Sequence, residues 1–237
     1  MLHILETKPS SAEENMLMDQ QLLESIDKSS GPILHLYEWE VDSITYGYFI
    51  KPQKYLKLDE INKRKIQLAR RPTGGGIVFH IWDLAFSFLM PANSMFFSLN
   101  SLENYHFVNE IVKKAVQELF QINQGAEIIQ KDFQSSLTQE HFCMAKPTKY
   151  DVVLNGQKIA GAAQRKKKKG YLHQGTISLA MPKEDLLSAV LVSEKNVKQA
   201  MKNFSFCPLQ GDWSQNELEL VRFELRELLI KYFKELF

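Results

Sequence analysis

Three groups of residues have the types and spacing to do chemistry. The first is Arg70-Arg71-Pro72-Thr73-Gly74-Gly75-Gly76-Ile77-Val78-Phe79-His80. Consecutive glycines leave no Cβ between main chain and ligand, so backbone N–H groups can approach an anion or an acyl group closely. The arginines before them carry charge that does not titrate away. A glycine-rich surface loop is the alternative. The apolar Ile66, Leu68, Ile77, Val78 and Phe79 on either side argue against it, because they read as strands rather than as a flexible linker. The second group centres on Lys158, framed by Val153, Leu154, Ile159 and Ala160 and followed by Gly161, Ala162 and Ala163. Such a lysine either faces water at a sheet edge or holds a cation over a carboxylate, a phosphate or a tetrahedral oxyanion. The small residues beside it would let a ligand lie flat against the strand. Asp151, beside Tyr150, either orients a base, binds an ammonium group or faces water. The third is Cys143, near Glu140 and His141 with Lys146 beyond. A thiol among cationic groups can act as a nucleophile; the alternative is an inert thiol. His80 and His173 end or interrupt apolar strands, a pattern of hydrogen-bonded structural histidines. Neither has further ligands at metal-site spacing, so no metal site is expected. Cys207, in Phe206-Cys207-Pro208-Leu209, lacks such company and reads as structural.

These residues need elements to position them. Ser11-Ala12-Glu13-Glu14 is a capping box, and the helix behind it ends near Ser29-Ser30-Gly31. Strands are expected at 33–37 and 43–48, with Gly47 marking a bulge or a close backbone approach. A short helical or turning piece at 52–58 leads to the apolar segment 61–68 and the glycine turn. Strands 77–79 and 84–90 read as a pair joined by the turn 80–83. Residues 98–120 have helical spacing, with Gly125 as the stop. Segment 128–144 reads as a long, partly ordered loop of the kind that often carries function. Asn155-Gly156 joins 150–154 to 157–163 as a two-residue hairpin. Arg165-Lys166-Lys167-Lys168-Lys169-Gly170 forms a basic tip, either a solvated turn or a contact for an acidic protein, and 171–179 returns as a strand. Short helices are expected at 184–191 and 194–202, and an amphipathic one at 215–237.

The expected class is α+β, a mixed α/β architecture of largely antiparallel strands packed with helices. At 237 residues and 44% hydrophobic content a sizeable core is available to one domain over 1–237, with 181–237 as its helical C-terminal part. A net charge of +1, from 29 basic and 28 acidic residues, gives no whole-chain reason for nucleic-acid binding. Two cysteines do not make a disulfide scaffold. Residues 1–10 lack the order of a signal peptide, and no apolar run reaches membrane-spanning length. The expectation is a cytoplasmic protein with reduced thiols and no membrane partner.

Together these stretches resemble the lipoate–protein ligase A and lipoyl/octanoyl transferase family, which shares its catalytic fold with biotin protein ligases. The resemblance is carried by Glu14-Asn15-Met16-Leu17-Met18-Asp19, by the arginine–glycine stretch ending at His80, by residues 150–165 around Lys158, and by Leu172-His173-Gln174-Gly175-Thr176. It implies an enzyme that joins lipoic or octanoic acid, through an amide, to one lysine of a lipoyl domain. Such domains belong to 2-oxoacid dehydrogenases or the glycine cleavage H protein. By this carry-over Lys158 stabilises charge at the activated carboxyl group. Arg71, Thr73, Gly74, Gly75, Gly76, His80, Asp151, Gly161, Ala163 and His173 bind the acyl or adenylate group.

Two routes are open. The leading one is a ligase that uses ATP and Mg²⁺ with lipoate to form lipoyl-adenylate, and it needs only the lysine and the glycine turn. The other is a transferase that takes octanoyl from acyl carrier protein onto Cys143. Gly76 resembles the ligases. Cys143, seven residues before Tyr150, stands in the register of the transferases' nucleophile. The turn after His80, where Ile81 replaces an acid, and the absence of an arginine after Gly47 also depart from the ligases. The C-terminal part is too short for a full accessory domain, which some ligases keep as a separate subunit. A non-catalytic lipoyl-domain binder and a biotin ligase are the remaining alternatives; the retained Lys158 and the Arg-Arg-Pro-Thr-Gly-Gly-Gly order argue against them.

Overall fold

The computed structural model describes residues 1–122, 125–130 and 141–237, the side chains of 194 and 195 excepted. Strand β6 (Asp83–Pro91) shows how the layers arise. Every residue in it is buried, as expected where both faces of a sheet are covered. Leu84, Phe86, Phe88 and Met90 point into the main core. The alternate residues Ala85 and Leu89 join clusters with Ala12 and Met16, and with Leu23 and Ile26. Helix α1 (Ala12–Glu24) therefore covers one face. The other face receives α3 (Ser101–Leu119) and the final helix, whose Phe233 stacks on Phe88 at 4.7 Å.

Among the described residues the large sheet runs β1 (His3–Glu6), β2 (Ile33–Leu36), β6, β10 (Gly170–Ser178), β9 (Gln157–Lys167), β8 (Val152–Leu154) and β7 (Ala126–Ile128). Its neighbours are antiparallel except β1 and β2. A second sheet has β3 (Ser43–Tyr46) between β4 (Gln67–Arg70) and β5 (Ile77–His80). Short α2 (Leu58–Lys63) precedes β4. Helices α4 (Glu184–Val190), α5 (Glu194–Phe204) and α6 (Gln215–Lys234) follow β10. The mixed architecture and mainly antiparallel large sheet match the sequence expectation. Among the described residues no helix is long and apolar enough to cross a membrane.

The capping box closes as expected: Ser11 accepts from Glu14 N, and Glu14 accepts from Ser11 N. Asn155 and Gly156 adopt φ of 51° and 79°, the left-handed pair that a tight hairpin needs. Three expectations are corrected. Helix α1 stops at Glu24, where Ser25 caps it, and a single 3₁₀ turn follows. The first half of 61–68 is helical, since α2 runs to Lys63. Strands β5 and β6 do not pair; β5 pairs with β3 in the small sheet, while β6 lies between β2 and β10. The turn between them is closed by His80 Nδ1–H donating to Asp83 at 2.8 Å, and Arg222 of α6 donates to the carbonyls of Ile81 and Asp83. Finally, β1 is an element the sequence reading did not contain. Most of segment 128–144, read from sequence as a loop, lies outside the described residues, Glu140 included, and its first residue, Ile128, ends β7.

Candidate active site

The glycine turn is built from beneath by Arg71. This buried guanidinium donates to Thr45 Oγ1 at 2.6 Å, to Gly76 O at 2.7 Å and to Gly74 O at 3.2 Å. With the carbonyls drawn inward, the N–H of Gly76 is free to point at Cys143, whose Sγ accepts it at 3.2 Å. The Arg71 guanidinium also lies beside this thiol, and burial pulls its pKa below the ordinary arginine value. Two glycines are required by close approach. A Cβ on Gly47 would overlap Gly75 O, and one on Gly76 would overlap His141 O. The end of β3 and the segment carrying Cys143 therefore sit flush on the turn, which the Ile77 N–H to His141 O bond at 2.7 Å holds in place.

Lys158 comes from the large sheet. The β8–β9 ladder shifts register at Val152/Val153, so that Val152 faces Ala160 while Val153 faces Lys158. The bulge leaves Lys158 beside Asp151, with Nζ 2.7 Å from Oδ2 and both residues buried. Thr148 donates to the same carboxylate through its N–H at 2.7 Å and its hydroxyl at 2.9 Å. Burial raises the Asp151 pKa, while the Lys158 cation and the Thr148 donors oppose that rise. A Cβ on Gly161 would overlap the end of Lys158 and lie 2.7 Å from Asp151 Oδ1, so the glycine makes room for the ammonium to cross the strand.

Residues of both sheets line a cleft that opens to solvent. Gly75, Gly76 and Val78 form one wall, Gly161 and Ala163 the facing one. Arg71, Cys143 and Lys158 reach the same space. The arrangement can do acyl transfer: a thiol, a backbone donor on its sulfur, and a fixed cation share one largely apolar cleft.

Of the residues read from sequence, Arg71, Gly75, Gly76, His80, Cys143, Lys158, Gly161 and Ala163 line this cleft, and Asp151 holds Lys158 from behind. His80 reaches it with both ring nitrogens engaged. Arg71 donates to Thr45 Oγ1, so the Thr45 proton goes to His80 Nε2 at 2.7 Å, while Nδ1–H serves Asp83. Trp39 stacks on the ring at 4.4 Å.

Three residues do not line the cleft. Thr73 is turned to Gln174, donating at 2.6 Å. Gly74 offers its carbonyl to Arg71. His173 points to the opposite face of β10, near Phe86 and Tyr105, where complete burial drives its pKa down to about 3. The residue facing the cleft is its neighbour Gln174, tied to Asp19 at 2.6 Å. A one-residue step along a strand exchanges the two faces, and only the pairing of Gln174 with Ala163 decides which side chain enters. Met16, Tyr37 and Thr176 also line the cleft without having been singled out; Met16 and Thr176 lie within quoted stretches, but nothing in their types marked them. Cys207 is buried, its thiol pushed up to about 12 by burial, as suits a structural residue. Among the described residues no three His, Cys, Asp or Glu side chains are grouped to hold a metal ion.

Residues 11–207 match the lipoyl protein ligase A/B catalytic domain. The octanoyltransferase LipM of an Exiguobacterium species is 28% identical over 214 residues, covering 86% of this chain and 75% of the relative. A T. acidophilum structure solved with bound lipoic acid superimposes with a TM-score of 0.67 at 27% identity, covering 99% of this chain and 84% of that one. A lipoate-protein ligase A bound with ATP gives 0.69 at 26% identity, covering 99% and 83%. The matched region holds the glycine turn, Cys143 and Lys158, and the chain belongs to the lipoyl protein ligase A/B catalytic domain family.

Proposed function

We propose that the chain is a cysteine-dependent octanoyltransferase, which takes octanoyl from acyl carrier protein onto Cys143 and passes it to one lysine of a lipoyl domain. Lipoyl or octanoyl transfer to protein is the chemistry of its relatives; the route is our reading. The observation that carries it is the Gly76 N–H directed at Cys143 Sγ at 3.2 Å, within the cleft that Lys158 also lines. A backbone N–H donor and a neighbouring guanidinium face the sulfur that would hold the acyl group.

In the first step the Cys143 thiolate attacks the thioester carbonyl. The new carbon–sulfur bond forms, the bond to the carrier's sulfur breaks, and the carrier leaves as a thiol with the proton that Cys143 gave up. In the second step the neutral amine of the target lysine attacks the acyl-enzyme. The amide carbon–nitrogen bond forms, the bond to Sγ breaks, and the amine's proton returns to the sulfur. Lys158 places positive charge beside the oxyanion of each addition, while Asp151 offsets the cost of its burial and fixes its position. The mostly apolar lining of the cleft suits an alkyl chain.

The relationship to a ligase solved with ATP supports a second reading, in which ATP and Mg²⁺ activate lipoate and Lys158 meets the acyl-adenylate. That route does not use Cys143. With octanoyl–acyl carrier protein, a lipoyl domain and no ATP, the native enzyme should octanoylate the domain. Cys143→Ala should lose at least about 10³-fold, on the scale of a deleted nucleophile. ATP-dependent lipoylation retained by Cys143→Ala, with no ATP-free transfer by either protein, would establish the ligase route instead.

A further inference from the structure

The whole-chain charge is nearly balanced, yet the cations are unevenly placed. Segments 47–54, 70–76 and 164–169 contain Lys51, Lys54, Arg70, Arg71 and Arg165 to Lys169, and no acidic residue. They meet at Tyr48. The Tyr48 N–H donates to Thr73 O at 2.9 Å, and Arg165 donates to Pro72 O at 3.0 Å. The guanidinium carbons of Arg70 and Arg165 lie 4.8 and 5.4 Å from the centre of the Tyr48 ring. Phe49 packs edge-on against that ring and is 87% exposed. Part of the basic hairpin tip is neutralised locally: Lys169 pairs with Asp27 at 2.9 Å and Lys167 lies 3.7 Å from Glu24. Among the described residues neither arginine at Tyr48 is paired with an acidic side chain.

This shelf adjoins the cleft. Tyr48 follows Gly47, which packs on Gly75. Along β9, Gly161, Ala163 and Arg165 fall on one face, and the first two line the cleft. We propose that Arg70, Tyr48, Arg165 and Phe49 form the docking shelf for the acidic carrier protein that delivers the acyl thioester, an inference that rests on the transferase reading above. A guanidinium stacked on a ring is pre-organised and keeps its N–H edge for carboxylate or phosphate. The donor's acyl group hangs from an arm joined to its protein by a phosphodiester, so two arginines at the lip match both the arm and the acidic surface around it. Phe49 supplies the apolar anchor.

The test measures Cys143 octanoylation by intact mass under single-turnover conditions, from octanoyl–acyl carrier protein and from the thioester octanoyl-N-acetylcysteamine, which has neither protein nor phosphate. Transfer from preloaded enzyme to a lipoyl domain is followed separately. Arg70→Gln/Arg165→Gln should slow loading from sub-saturating carrier by at least about tenfold. Loading from the small thioester and transfer to the lipoyl domain should stay within about twofold, since steering charges act on encounter rather than on chemistry. Raising ionic strength should slow carrier loading of the native enzyme and leave the small thioester unaffected. Unchanged carrier loading would overturn the proposal. Equal loss with both donors would mark the arginines as structural, and loss confined to the second step would assign the shelf to the lipoyl domain. If the native enzyme forms no acyl-enzyme with either donor, the transferase reading itself fails, and the shelf proposal falls with it; this outcome is distinct from a defect seen only in the variant.

Discussion

At the scale of single residues, the site turns on a lysine that crosses its strand and a glycine that makes room for it. Adding a Cβ at Gly161 forces the Lys158 ammonium aside. The Cβ would also lie 2.7 Å from Asp151 Oδ1, so both members of the buried pair must shift. Gly161→Ala should lower transfer by at least about 10²-fold, the scale of a lost oxyanion donor, and should also lower the melting temperature as the buried pair is disturbed; normal transfer would show that Lys158 need not occupy its observed place. His173 supplies a second test. Its buried ring stays neutral down to a pKa of about 3, whereas the unfolded ring takes up a proton below its ordinary 6.5. Stability is therefore full above that ordinary value and falls as pH drops from there toward the folded one. Between pH 7 and 5 this group alone should cost about 2 kcal/mol. Denaturant titrations should find that loss reduced by this amount in His173→Gln, and an identical loss in both proteins would contradict the burial of a neutral ring. Lys158 and the glycine turn were legible in the sequence because their neighbours are small or apolar over short spans. His173 was assigned to the site where Gln174 belongs because the face of a strand depends on pairing with a partner far along the chain.

At the scale of elements, the hairpin that carries Lys158 depends on its two left-handed residues. A Cβ on Gly156 would meet nothing within 4 Å, so replacement acts through φ alone. Gly156→Ala should cost about 1–2 kcal/mol, the penalty of a left-handed alanine, as measured by urea unfolding. A neutral effect would show that the turn relaxes to another type. This hairpin was readable because Asn-Gly is a local signal. The turn at 80–83 was misread for the opposite reason. Its direction is set by the His80–Asp83 bond together with Arg222, which reaches back to the carbonyls of Ile81 and Asp83 from the final helix. Short-range hairpin logic paired β5 with β6, but the chain crosses there from one sheet to the other and so forms the two walls of the cleft.

At the scale of the molecule, the site exists because residues of two sheets line one cleft with small residues among them. The thiol is presented by a segment packed on the small sheet, the cation by the large one, and α1 closes the space with Met16. The class of architecture was legible, since strand and helix periods were clear in most segments. The placement of Cys143 was not, because residues before it offered no period to read and its position is fixed by contacts of His141 with Gly76 and Ile77 across the fold. Helix α6, although distant in sequence, places Leu225, Leu229 and Phe233 in the same core as Phe88. Whether Cys143 carries the acyl group is decided by intact-mass measurement after incubation with octanoyl–acyl carrier protein in the absence of ATP. One octanoyl adduct is expected, localised to Cys143, labile to hydroxylamine as a thioester and discharged by an added lipoyl domain. An enzyme that stays unmodified while lipoylating the domain with ATP would rule out Cys143 as the acyl carrier.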